Sequence, residues 1–97
     1  MQVSKKELEE IKAILEKHLH NKKVLAFGSR IKETADKFSD LDCVVFCANV
    51  FDFEQITEAF ENSDLPFRIQ LLMWEKLPKD FQEEIKKQFV VLQKGRK

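Results

Sequence analysis

Two short apolar runs, Val24-Leu25-Ala26-Phe27 and residues 41–48, constrain this chain more than any other feature, because turn chemistry bounds each and only a short polar stretch joins them. The first run stops at Gly28-Ser29 and reads as a buried strand meeting a turn, with Ser29 able to cap the next helical turn. Residues 31–38 leave room for a helical turn or two and a loop. That is less than the crossover a parallel strand pair takes, so the two runs are expected to be antiparallel neighbours. The end of the first strand and the start of the second then lie together, and whatever Gly28-Ser29 and Asp40-Leu41-Asp42 do, they do in one place.

The flanking sequence supplies helices and further strands. Ser4 and Glu7 form a capping-box pattern, and Leu8, Ile11, Leu15, His18 and Leu19 recur at helical spacing, predicting an amphipathic helix that ends near His20-Asn21. Asp52 is expected to cap a second helix with Phe53, Ile56 and Phe60 on one face, closed by Asn62-Ser63-Asp64. Pro66 opens a third strand over residues 67–73, whose first residues alternate apolar and polar. Leu77-Pro78 starts a last helix with Phe81, Ile85 and Phe89 along one stripe, or else Phe89 begins a terminal strand reaching Gln93. The expected class is α/β in the α+β sense: a small mixed β-sheet flanked by helices, with residues 1–97 as one domain.

Composition narrows the function. A chain of 97 residues suits one small core, burying about 60–65% of the surface that its unfolded form exposes, so a partner would add useful stability. Lysine plus arginine number 17 and aspartate plus glutamate 17, so nothing global draws the protein to nucleic acid or to an anionic membrane, and a phosphate ligand must be attracted locally. Residues 1–10 are charged and lack the apolar run of a signal peptide, and no stretch has the length of a bilayer span, so a cytoplasmic location is expected. Cys43 and Cys47 lie in an apolar run without metal-like spacing to His18 or His20 and are expected to be buried thiols.

Gly28-Ser29 lies where a strand gives way to a helical turn. Glycine lets a bulky anion approach the backbone, and the amides at the head of the turn favour phosphate. Ser29 adds a hydroxyl, while Arg30 and Lys32 are expected to add local positive charge. Taken alone, the pair is equally a plain turn. In Asp40-Leu41-Asp42 the acids are two apart, so in a strand they share a face and can share a cation. Magnesium suits such a site, since it prefers one or two carboxylates completed by water and phosphate oxygens. The alternative is that Ser39 and Asp40 cap a turn and Asp42 begins a solvated edge strand. Together the motifs outline a triphosphate at Gly28-Ser29 bridged by magnesium to Asp40 and Asp42, with the α-phosphorus open to in-line attack by a hydroxyl.

These residues also carry a resemblance. Phe27-Gly28-Ser29-Arg30 followed by Ser39-Asp40-Leu41-Asp42 resembles the Gly-Ser…Asp-x-Asp signature of the DNA polymerase beta superfamily, in particular the minimal nucleotidyltransferases, small prokaryotic proteins usually paired with a helical HEPN partner. Residues 65–74 and Phe89-Val90-Val91 fall where that family has its third and terminal strands. The resemblance implies a palm-like nucleotidyltransferase fold, with Gly28, Ser29, Arg30 and Ser39 on ATP or another nucleoside triphosphate, and Asp40 and Asp42 on magnesium. It also implies a third carboxylate that completes the metal site and helps activate the hydroxyl. The matching position holds Gln70, whose amide oxygen can ligate a metal but brings no charge and is no base near neutral pH. Asp64 and Glu75 lie beyond the two ends of the third strand, with no evident reason to replace it. Glu33 departs from the small residue or glycine that many relatives carry there.

Two activities of different class follow, the first implied by the resemblance and the second by Gln70. The first is transfer of a nucleoside monophosphate, AMP above all, to a hydroxyl acceptor, possibly on a HEPN-type partner, as an antitoxin. The second is a non-catalytic nucleotide-binding or antitoxin subunit that acts by contact. A ferredoxin-like regulatory domain with coincidental motifs is a more distant third. His18 and His20 are expected to pack or face water, Trp74 to fill the core in preference to stacking on a base or anchoring a partner, and the basic end from Lys94 to be solvated.

Overall fold

The capping box forms as its sequence predicts. Ser4 N–H donates to Glu7 Oε1 at 2.9 Å and Glu7 N–H donates to Ser4 Oγ at 3.1 Å, which starts α1 (Lys5–Leu19) and turns Ile11, Leu15 and Leu19 inward. The computed structural model describes residues 2–19, 21–33 and 39–95; His20 and the part of the link from 34 to 38 lie outside the described residues.

Four strands form one mixed sheet: β1 (Val24–Phe27), β2 (Leu41–Val45), β3 (Ile69–Met73) and β4 (Val90–Gln93), in the order β3-β2-β1-β4. β1 runs antiparallel to both β2 and β4, as the short link requires. β2 and β3 are parallel, and α2 (Val50–Glu61) supplies their crossover. A short 3-10 turn (Trp74–Lys76) and α3 (Lys79–Lys87) lead from β3 to β4.

Alternation along the strands divides the side chains between two cores. Val24, Ala26, Leu41, Cys43, Val45 and Leu92 pack with Ile11 and Leu15 of α1 and with Ile56 and Phe60 of α2. Each fully buried aliphatic chain there contributes about 1.5–3 kcal/mol by leaving water. On the opposite face Leu25, Phe27 and Val44 pack with Ile85 of α3, and Phe46, Leu72, Trp74 and Leu77 close the margin. α3 thus covers the inner part of this face. At its outer end Asp42 is half-buried and Gln70 exposed.

Several boundaries differ from expectation. Asn49, not Asp52, caps α2: it is extended (φ −83°, ψ 171°) and its side chain accepts from Asp52 N–H at 2.7 Å, leaving Asp52 in the first turn. The apolar run after Asp40 is strand only to Val45, because Cys47 takes φ 61°, and this thiol is exposed while Cys43 is buried. β3 begins at Ile69, although Phe67 is already buried. In α3 only Ile85 is buried and Phe81 is partly exposed; Phe89 lies beyond the helix, so of the two readings of this end the terminal strand reaching Gln93 is the one that forms, starting at Val90. Trp74 stacks on Phe46 with ring centroids 4.6 Å apart, the packing role expected for it. Among the described residues no helix is long and apolar enough to cross a membrane.

Candidate active site

The site is built where β1 ends. Gly28 follows Phe27 with φ +89°, and its carbonyl accepts from the N–H groups of Ile31 and Lys32, both at 3.1 Å. The chain therefore leaves the strand as a single helical turn headed by the amides of Ser29 and Arg30. A Cβ on Gly28 would overlap the carboxylate of Asp42, with Oδ2 closest and Cγ at 3.3 Å. Glycine is thus required twice, by the left-handed backbone and by the acid seated against it. The turn expected to cradle phosphate and the acid expected to hold metal are in direct contact.

Register aligns the rest. Asp42 pairs with Phe27 on one side and with Gln70 on the other, so the three side chains form one row across the sheet on the face that carries α3. Burial raises the pKa of Asp42 above the usual carboxylate range, and the charge of Asp40 raises it further. Asp40 therefore lies near enough for its charge to disfavour that of Asp42. Such a pair calls for a cation. Two carboxylates and the Gln70 amide oxygen would offer hard oxygen donors, and such a set would fit magnesium completed by water and phosphate. Among the described residues no three His, Cys, Asp or Glu side chains gather in one group.

Other expected participants are placed differently. Arg30 is engaged within the fold: it is 6% exposed, its Nε donates to Ser39 O at 2.9 Å, its Nη1 donates to Gln2 O at 2.7 Å, and its guanidinium lies 4.0 Å from the centroid of the Phe67 ring. A planar guanidinium so engaged ties together the chain start, the turn after β1 and the approach to β2. Through it Ser39 is held by its backbone, one residue before Asp40. Lys32 remains exposed. Glu75 Oε2 accepts from Cys47 N–H at 3.0 Å, past the far ends of β2 and β3, and so is unavailable to the site. Asp64 lines a surface depression with Lys6, Glu7, Glu10, Leu65 and Pro66. Neither acid takes the position of Gln70.

Glu33 shows why glycine suits its position, since its φ is 60°. This conformation costs a residue with a Cβ roughly 1–2 kcal/mol, part of which returns as the greater freedom of an unfolded glycine. Glu33→Gly is expected to stabilise the fold by about 0.5–1 kcal/mol, read as a melting temperature several degrees higher. An unchanged or lower melting temperature would mean that contacts of the Glu33 side chain outweigh the backbone strain.

Comparison with known proteins identifies the family and the fold. Residues 9–96 match the family described as Polymerase beta, Nucleotidyltransferase. A protein of Haemophilus influenzae named probable protein adenylyltransferase MntA is 40% identical over 100 residues, covering 100% of this chain and 88% of the relative. A crystal structure of a toxin-antitoxin with AMP-PNP superposes with a TM-score of 0.72 at 18% identity, covering 93% of this chain and 74% of the other, which shows a shared fold.

Proposed function

Because the chain belongs to the polymerase beta nucleotidyltransferase family, we propose that it transfers AMP from ATP to a hydroxyl group of a partner protein and thereby acts as an antitoxin. The observation that carries this reading is the contact of Asp42 with the turn at Gly28, where an acid able to hold a cation would stand beside backbone amides able to hold phosphate. The relative named as a protein adenylyltransferase supports AMP as the group and protein as the acceptor. The toxin-antitoxin with AMP-PNP supports a nucleotide and a toxin partner for proteins of this fold. A helical HEPN protein is the partner class that the sequence resemblance favours.

In this reading the amides heading the turn after Gly28, with the Ser29 hydroxyl, donate to oxygens of the triphosphate. Asp40 and Asp42 would hold magnesium, which when bound neutralises the triphosphate and the departing pyrophosphate. The acceptor oxygen bonds to the α-phosphorus as the bridging bond to the β-phosphate breaks, and pyrophosphate leaves with that oxygen. The hydroxyl proton passes to water, since Gln70 is no base.

Gln70, in register with Asp42 and exposed, favours a second reading, in which the subunit binds magnesium nucleotide and restrains its partner by contact alone. Calorimetry with ATP and magnesium, followed by a pyrophosphate assay with the cognate partner, separates the two. Binding with pyrophosphate release supports transfer, binding without release supports contact, and no binding removes both. Gly28→Ala is expected to weaken ATP binding about tenfold, because the new methyl group displaces the Asp42 carboxylate and strains the turn. Undiminished ATP affinity in this variant would sever the contact from nucleotide binding.

A further inference from the structure

One aromatic ring at the rim of the candidate site belongs to neither core. Phe81, in α3, is 38% exposed, yet it meets Phe27 in a perpendicular contact with ring centroids 5.8 Å apart. Phe27 is buried, pairs with Asp42 and immediately precedes Gly28. Its own Cα lies about one strand spacing, ~4.8 Å, from that of Asp42, and Phe81 stands one ring contact further. Phe81 therefore stands against the residue that pairs with Asp42, on the face of the sheet that carries this acid. The perpendicular contact with Phe27 orients the ring, while the residue keeps 38% of its surface open to solvent. Four residues on, Ile85 is 2% exposed and anchors α3 on the sheet, so the platform is rigid.

From this geometry we infer that Phe81 is the platform on which the nucleobase of the bound triphosphate stacks, an assignment that rests on the nucleotide reading of Gly28, Asp40 and Asp42. Phosphate and cation contacts are blind to the base, whereas a stack is not. Purines offer more surface than pyrimidines, so Phe81 biases the site towards ATP and GTP over UTP and CTP. The exposure of an otherwise apolar residue is then explained by a ligand that covers it.

The test uses the whole chain with magnesium and compares ATP, UTP and inorganic tripolyphosphate by calorimetry on the unaltered protein, Phe81→Ala and Phe81→Trp. Phe81→Ala is expected to weaken ATP about tenfold, the scale of one base–aromatic stack, to weaken UTP less, and to leave tripolyphosphate unchanged. Phe81→Trp is expected to retain or tighten ATP. Equal weakening of ATP and tripolyphosphate would make Phe81 a structural support of the turn and overturn the assignment. Unchanged ATP affinity with loss of the partner complex would make the ring a protein contact and overturn it as well. If the unaltered protein binds tripolyphosphate but gains nothing from a base, the platform fails while the phosphate site stands. If it binds neither, the nucleotide reading itself falls.

Discussion

Asp42→Asn is expected to lose nearly all transfer activity while melting at a higher temperature than the unaltered protein. Asp42 carries both effects because burial and the charge of Asp40 raise its pKa in the fold. The folded chain then binds the Asp42 proton more tightly than the unfolded chain does. Below the ordinary carboxylate range the group is neutral in both states and stability is unimpaired; as pH rises through the raised folded value, the charge forms against desolvation and repulsion and opposes folding. Asparagine removes that charge and keeps nearly the same shape.

The gain in melting temperature should therefore be present near about pH 8 and vanish near about pH 3, where both side chains are neutral. Magnesium should raise the melting temperature of the unaltered protein and do little for the variant, since a cation relieves only a repulsion that exists. Activity moves the other way. Removing one of the two proposed charged metal ligands is expected to slow pyrophosphate release about 10³-fold, a loss of roughly 4 kcal/mol of transition-state stabilisation. Undiminished release would remove Asp42 from the proposed chemistry, and a lower melting temperature near pH 8 would show that its ionised form supports the fold.

How far the sequence leads depends on how local each interaction is. The short link between the first two apolar runs was enough to predict an antiparallel pair, and that pairing brings Phe27 opposite Asp42. The capping box was legible because its donors and acceptors lie three residues apart. Arg30 was not legible: its partners, Gln2, Ser39 and Phe67, are distant in sequence, and only tertiary folding turns a motif cation into a buried tie. Asn49 and Asp52 are both sound caps, and the choice between them fell to the chain path after Cys47, whose positive φ no side-chain pattern announces. The Phe81, Ile85 and Phe89 spacing predicts one helical stripe, but α3 ends at Lys87 and only Ile85 of the three is buried. The overlap of Asp42 with the missing Cβ of Gly28 likewise comes from register, not from spacing.

Gln70→Asp is expected to raise transfer about 10²-fold, the lower end of what a positioned base or added charged ligand contributes. Position 70 pairs with Asp42 in the parallel ladder, so an aspartate there would join the existing pair from the neighbouring strand on the same face. The side chain of residue 70 is exposed, so the change needs no repacking. It adds a third negative charge, and without metal the variant should melt lower than the unaltered protein, with magnesium restoring the difference. The rise should be steepest at low magnesium, where a site with only two acids would hold the cation least well. Gln70→Ala distinguishes a glutamine that ligates from one that merely fills space: a further fall in transfer would mean that the amide oxygen serves the metal, while an unchanged rate would mean that the reaction runs on Asp40 and Asp42 alone. If Gln70→Asp binds magnesium more tightly yet transfers nothing, a missing carboxylate is not what limits the chemistry, and the subunit that restrains its partner by contact becomes the better account.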